Sequence, residues 1–232
     1  MKIFDLPIVD DQLYQGAREI MELSKCSKFV EPFCGNTSLF LNLSKTFDKV
    51  IINDSSKDVV RVLKSFRDAP HDQLVKMYSD VEEEFGNIGM VGGAMGAFMK
   101  SYQDKYKSDK MVERGLFLYV ASTPNCISID DYSAAQNTLK DSIIYCEGFE
   151  KIIDIYDDKD VLFFFNPPYI LEGGIFDYDA FIKSFSQIKG NIMFVDVYEK
   201  ETMKKLNEAT GKKWHRRTNK MNNFKETIYY NF

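Results

Sequence analysis

The segment Val161-Leu162-Phe163-Phe164-Phe165, closed by Asn166-Pro167-Pro168-Tyr169, constrains the fold more than any other part of the chain. It is short, apolar at every position, rich in aromatic side chains and stopped by proline. That is the pattern of a strand buried on both faces. Residues 28–33 have the same character and run into Pro32 and Gly35. Weaker strands are expected at 49–53, 142–146 and 191–197, with helical stretches at 38–43, 58–66 and 179–188 between them. Strands that alternate with helices predict a parallel α/β sheet. The last seven residues, Glu226 to Phe232, alternate in polarity and predict a late antiparallel strand.

The alternation breaks between about residue 55 and residue 141, where the sequence turns polar and helical, notably at 80–84, 97–107 and 110–120. Roughly 85 residues separate two strands of one sheet, where a helix and connections of about 2–6 residues are usual. An insertion of that size commonly carries its own task, often substrate recognition. The division expected is 1–56 with 141–232 as one α/β domain, and 57–140 as a helical insertion. A length of 232 residues, 44% of them hydrophobic, suits such a domain with one insertion. No stretch reaches the roughly 18 apolar residues of a membrane helix. Met1-Lys2-Ile3-Phe4-Asp5-Leu6-Pro7 puts an acid and a proline where a secretory peptide keeps its apolar stretch, so an intracellular, cytoplasmic protein is expected. Cys26, Cys34, Cys126 and Cys146 form no Cys-x-x-Cys pair, and the histidines are His71 and His215. Disulfide and metal chemistry are therefore set aside, and each cysteine reads as a small buried side chain.

Two constellations can carry chemistry. In Phe29-Val30-Glu31-Pro32-Phe33-Cys34-Gly35-Asn36-Thr37-Ser38 a strand enters a glycine turn and then a helix. Gly35 lets the backbone turn sharply and approach a ligand, and Asn36, Thr37 or Ser38 can cap the helix. Asp54 ends the next strand, 19 residues after Gly35, where an acid can accept hydrogen bonds from ribose hydroxyls. An ordinary turn and an ordinary cap would look the same. The second constellation is Asn166-Pro167-Pro168-Tyr169, delivered to the same rim. Its prolines fix φ and remove donors, which holds the Asn166 side chain and the Pro167 carbonyl stiffly. Two such acceptors can hold both hydrogens of a planar amine and aim its lone pair at a methyl sulfonium. Tyr169 can stack on the planar substrate. A second glycine cluster, Gly89 to Gly96, follows acidic residues rather than a strand and reads as a loop.

These residues resemble the DNA adenine methylase (Dam-like) family of class I S-adenosylmethionine-dependent methyltransferases. The likeness runs from Tyr14-Gln15-Gly16-Ala17-Arg18 through Val30 to Gly35, Ile52-Asn53-Asp54, the helix-like 114–120 and Cys146-Glu147-Gly148-Phe149. It continues into Asn-Pro-Pro-Tyr and the closing strand at 225–232. The resemblance implies a Rossmann-like α/β sheet with a helical target-recognition insertion. It also implies a methyl transfer from S-adenosylmethionine to the exocyclic amine of adenine, of the kind used in restriction-modification. Cofactor contacts are then expected at Tyr14, Gly16, Arg18, Glu31, Pro32, Phe33, Gly35, Asp54, Gly148 and Phe149. Catalysis is expected at Asn166, Pro167, Pro168 and Tyr169, on duplex DNA through a flipped adenine. The chain departs from the family at Arg18 (commonly Lys) and at Asn166 (commonly Asp). It also lacks a second glycine near Asn36-Thr37 and the basic hairpin expected after Val120.

Charge bears on the partner. Residues 199–226 hold nine Lys or Arg against four Glu, a net +5 in a chain whose total is -5. Lys212, Lys213, Arg216 and Arg217 surround Trp214 and His215, as a nucleic-acid-contacting surface or as a solvated helix end. Two other readings compete: a methyltransferase of the same fold acting on RNA or protein glutamine, and a non-enzymatic descendant that binds cofactor or a partner.

Overall fold

The triple-phenylalanine run is a central strand, and the rest of the architecture is arranged around it. The computed structural model describes residues 11–35, 47–73, 75–76, 129–167, 177–196, 201–221 and 224–232. In chain order these form α1 (Asp11–Met21), β1 (Lys28–Glu31), β2 (Lys49–Asn53), α2 (Lys57–Asp68), α3 (Ile129–Lys140), β3 (Ser142–Tyr145) and α4 (Phe149–Tyr156). They continue with β4 (Val161–Phe165), α5 (Tyr178–Ser184), β5 (Asn191–Asp196), α6 (Thr202–Thr210), β6 (His215–Met221) and β7 (Phe224–Tyr230). The seven strands make one sheet in the order β3-β2-β1-β4-β5-β7-β6. β1 to β5 are mutually parallel, and β7 enters antiparallel between β5 and β6. The expected Rossmann-like α/β sheet is therefore present, with its late antiparallel strand.

Topology places the ligand crevice. From β1 the chain steps outward to β2 and β3, then returns to lay β4 on the other side of β1. Neighbouring connections leave in opposite directions at that reversal, which opens a crevice at the carboxyl ends of β1 and β4. Val30 pairs with Phe163, and Ile52 pairs with Glu31, so Glu31, Asp54 and Asn166 share one rim.

All five residues of β4 are buried. Phe163, Phe165, Phe194 and Tyr229 line one face, covered by Ile152 of α4, Phe181 and Ile182 of α5, and Leu206 of α6. The Phe165 ring lies 5.4 Å from Phe181 and 5.0 Å from Phe185. Near β3, α2 packs against α3. The buried Gln136 amide donates to the Phe66 and Ala69 carbonyls at 3.0 and 2.7 Å, satisfying acceptors left over at the end of α2.

Several boundaries differ from expectation. β1 stops at Glu31 rather than Phe33, because Pro32 has no N–H and the Cys34 N–H turns sideways to the Asn53 carbonyl at 2.8 Å. α5 ends at Ser184, and residues 185–188 continue as tighter turns, each N–H bonding three residues back. α1 and β6 were not expected as elements. The basic segment is not a helix end: α6 closes at Gly211, with φ +62°, and His215 begins a strand. Trp214 is 6% exposed, stacks 6.0 Å from Phe185, and donates its indole N–H to Thr210 Oγ1 at 2.9 Å. Lys212 Nζ donates to the Ile188 carbonyl and Arg217 pairs with Glu19 of α1, while Lys213 and Arg216 stand exposed. No helix among the described residues is long and apolar enough to cross a membrane. Residues 77–128, which hold the second glycine cluster and most of the expected insertion, lie outside the described residues.

Phe165→Ala would open a cavity where five aromatic rings meet. It should cost about 3–5 kcal/mol in urea unfolding, with an unchanged m-value.

Candidate active site

Three loops converge at the crevice, one each from the ends of β1, β2 and β3. The first turns at Pro32 and Phe33 and reaches Gly35, whose φ of +47° is a left-handed conformation that glycine adopts without strain. The Gly35 N–H donates to Asp54 Oδ2 at 3.1 Å, and the Ser56 N–H donates to Asp54 Oδ1 at 2.8 Å. Asp54 thus holds the glycine turn and the start of α2, while each carboxylate oxygen keeps a second lone pair for a ligand. The Ser56 hydroxyl caps α2 by accepting the Val59 N–H at 3.4 Å.

Asn53, quoted in the motif but given no role there, ties the loops together. It is fully buried; its amide donates to the carbonyls of Pro32 at 2.9 Å and Glu147 at 3.0 Å, and its Oδ1 accepts the Glu147 N–H at 2.9 Å. One sequence signal pointed there: an Asn closing the apolar run Val50-Ile51-Ile52 must find buried partners.

Electrostatics single out Glu31. Its side chain is 3% exposed, and Oε2 has no hydrogen-bond partner among the described residues. Burial pushes the Glu31 carboxyl well above its usual range, and the nearby Asp54 charge pushes it further. Burial also raises Asp54, against the lowering effect of its bonds from the Ser56 and Gly35 N–H groups. Burial raises the Cys34 thiol, with Asp54 and Glu31 adding to it. Two carboxyl groups crowded at the end of a strand, one with an unmet acceptor, make a site suited to a ligand carrying a cation and hydroxyl donors.

The other expected residues are distributed as follows. Pro32 is buried, and Phe33 and Phe149 are half-buried, their rings 5.2 Å apart and 5.8 and 5.4 Å from Phe181. These two rings join the crevice to the aromatic core. Gly148 is exposed and caps α4. Gly16 is buried and Arg18 half-buried on α1, which packs along β6 and β7; Tyr14 lies on the same helix. Asn166 follows the last pairing of β4, half-buried, and Pro167 is buried behind it. Pro168 and Tyr169 lie outside the described residues.

Glu31 carries a testable cost. Its folded-state pKa lies above its unfolded value, so its contribution to stability is greatest below the unfolded pKa. That contribution is lost as pH rises through the folded pKa. Glu31→Gln should therefore raise Tm at pH 7.5, and the gain should shrink as pH falls toward 4. A variant less stable than wild type at pH 7.5 would contradict this.

Comparisons with known proteins agree with this geometry. Residues 14–89 match the model of the D12 class N6 adenine-specific DNA methyltransferase family, a span that takes in most of α1, all of β1 and β2, and both ends of the Gly35–Asp54 contact. The chain is also similar to the type II methyltransferase M.CviBI of Paramecium bursaria Chlorella virus NC1A, at 22% identity over 157 residues. That alignment covers 63% of this chain and 60% of the viral protein, so the chain spans about three-fifths of the relative it matches. Motif order, strand order and both comparisons agree in likening the chain to the D12 class N6 adenine-specific DNA methyltransferases.

Proposed function

We propose that this protein is a site-specific DNA methyltransferase that transfers a methyl group from S-adenosylmethionine to the exocyclic amine of adenine. The observation that carries the reading is the meeting, at the sheet's reversal, of two strand ends: β1 with the buried Glu31 oxygen that has no partner among the described residues, and β4 with Asn166-Pro167. The donor set fits the cofactor. Glu31 offers a carboxylate to its ammonium group, and Asp54 has lone pairs left for its ribose hydroxyls. Pro32, Phe33 and Gly35 supply the close backbone approach, and Gly148 and Phe149 lie beyond Asn53 on the side assigned to the adenine. Tyr14, Gly16 and Arg18 complete the cofactor set from α1. When bound, S-adenosylmethionine supplies an electrophilic methyl group on a cationic sulfonium.

The protein's part is orientation. Asn166 Oδ1 and the Pro167 carbonyl accept the two amine hydrogens, so the amine lone pair turns out of conjugation with the ring and toward the methyl group. The positive charge that develops on nitrogen lies against these acceptors, which lowers the barrier, and the surplus amine proton then passes to solvent, so no tuned general base is required. Pro167 and Pro168 keep the acceptors from relaxing. Tyr169 stacks on an adenine that has left the duplex. The insertion at 57–140, rooted on β3 through α2 and α3, reads the DNA. Lys213 and Arg216 serve as phosphate contacts, since Lys212 and Arg217 already hold partners within the fold. The cytoplasm is the location that suits this reading.

The deciding experiment is methyl transfer from labelled cofactor to adenine-containing duplex DNA, followed by digestion and identification of N6-methyladenine. Label appearing only in RNA or in a protein glutamine would replace the DNA reading. Asn166→Ala should slow the chemical step by about 2.7–4 kcal/mol with little change in cofactor affinity, and Asn166→Asp should retain methylation. Asp54→Ala should do the reverse, weakening cofactor binding in calorimetry by about 1.5–3 kcal/mol.

A further inference from the structure

Asn53 is a fully buried side chain whose hydrogen-bonding capacity is spent on loops on either side of it. One amide hydrogen goes to the Pro32 carbonyl at 2.9 Å and the other to the Glu147 carbonyl at 3.0 Å, while Oδ1 takes the Glu147 N–H at 2.9 Å. Its own backbone carbonyl takes the Cys34 N–H at 2.8 Å, and the next residue, Asp54, reaches the Tyr145 carbonyl at 3.5 Å. The loop after β1 and the loop after β3 are therefore both referenced to the end of β2. No other residue type offers two donors and one acceptor at that reach: Asp lacks the donors, Ser is too short, and Gln is a carbon too long.

We propose that Asn53 is the positioning residue of the cofactor site, setting the span between the loop at Glu31–Gly35 and the loop at Glu147–Phe149. This rests on the cofactor reading above, in which those two loops hold opposite ends of S-adenosylmethionine. Asn53 faces carbonyls and one N–H of the protein and acts through the two loops. A span set by fixed, buried hydrogen bonds costs no reorganisation when the ligand arrives, which is how a pre-formed site gains affinity.

The test is Asn53→Asp, alongside Asn53→Ala, with S-adenosylmethionine affinity measured by calorimetry from pH 8.0 to 5.5 and expressed relative to wild type at each pH. At pH 8.0 the carboxylate points an oxygen at the Pro32 and Glu147 carbonyls, and affinity should fall by about tenfold or more, as for a buried donor lost beside unmet acceptors. On protonation the new acid regains one donor. The charged and titratable groups around it are Glu31, Asp54, Cys34 and Glu147, the last paired with Lys151 at 2.8 Å. Burial and the carboxylates favour protonation of the new acid, so much of the loss should be recovered by pH 5.5. Asn53→Ala should stay weak at every pH. In hydrogen exchange without cofactor, the Glu147 amide should lose protection in Asn53→Ala. A relative affinity flat with pH in Asn53→Asp, or an unchanged Glu147 amide in Asn53→Ala, would overturn the positioning role. A wild type that binds no S-adenosylmethionine, yet loses Glu147 protection in Asn53→Ala, would instead overturn the cofactor reading and with it the function given to this clip.

Discussion

A strand with no polar face can exist only where both its edges are paired and both its faces are covered. β4 meets all four demands: β1 on one edge, β5 on the other, the aromatic layer of α5 on one face and further chain on the opposite one. Much else follows from this. Because β4 must lie beside β1, the chain has to cross back over the sheet, and that return creates the crevice. Because the run ends in two prolines, pairing stops there, and Asn166 emerges at the crevice on a stiff backbone. The same element that anchors the core therefore carries Asn166 to the rim of the sheet.

The rim where β1 and β2 end carries groups the fold alone would not choose. Glu31, Asp54 and Cys34 are packed together where β1 and β2 end, each carboxyl raised by burial, and the first has an oxygen without a partner among the described residues. A hydrophobic residue in place of Glu31 would suit the free protein better. Retaining an ionisable group there makes physical sense where a ligand supplies the missing charge, so that stability given up in the empty fold is regained on binding. Asp54 differs from Glu31 in degree, because two backbone N–H groups already meet part of its demand.

Much of this was legible in the sequence, for physical reasons that vary along the chain. The strand at 161–165 is marked by an uninterrupted apolar run and the one at 49–53 by the shorter run Val50 to Ile52, and the limits of both agree with the structure. Asp54 was found by its spacing from Gly35, and the two do bond. β6 was hidden because its buried anchor, Trp214, precedes it, while its own His215, Arg216 and Arg217 look like solvent-facing residues. The charge read as one basic surface is divided: two of its four members are tied to Ile188 and Glu19. The role of Asn53 is not legible in the sequence because its partners, Pro32 and Glu147, are 21 and 94 residues away. No local pattern reports contacts of that range.

The placement of β7 has a consequence for how the chain reaches this state. β7 follows β6 in sequence yet sits inside it, between β6 and β5. Until β7 arrives, β5 has an open edge carrying Met193, Phe194 and Val195, and β6 has no neighbour in the sheet. A partly folded chain with β1 to β5 assembled would expose an apolar template able to pair with another copy. Closing that edge is the work of one hairpin, whose strands are joined across two residues and can pair locally before docking. The hairpin thus serves the maturing chain as an edge guard, separate from any part its basic residues play once the fold is complete.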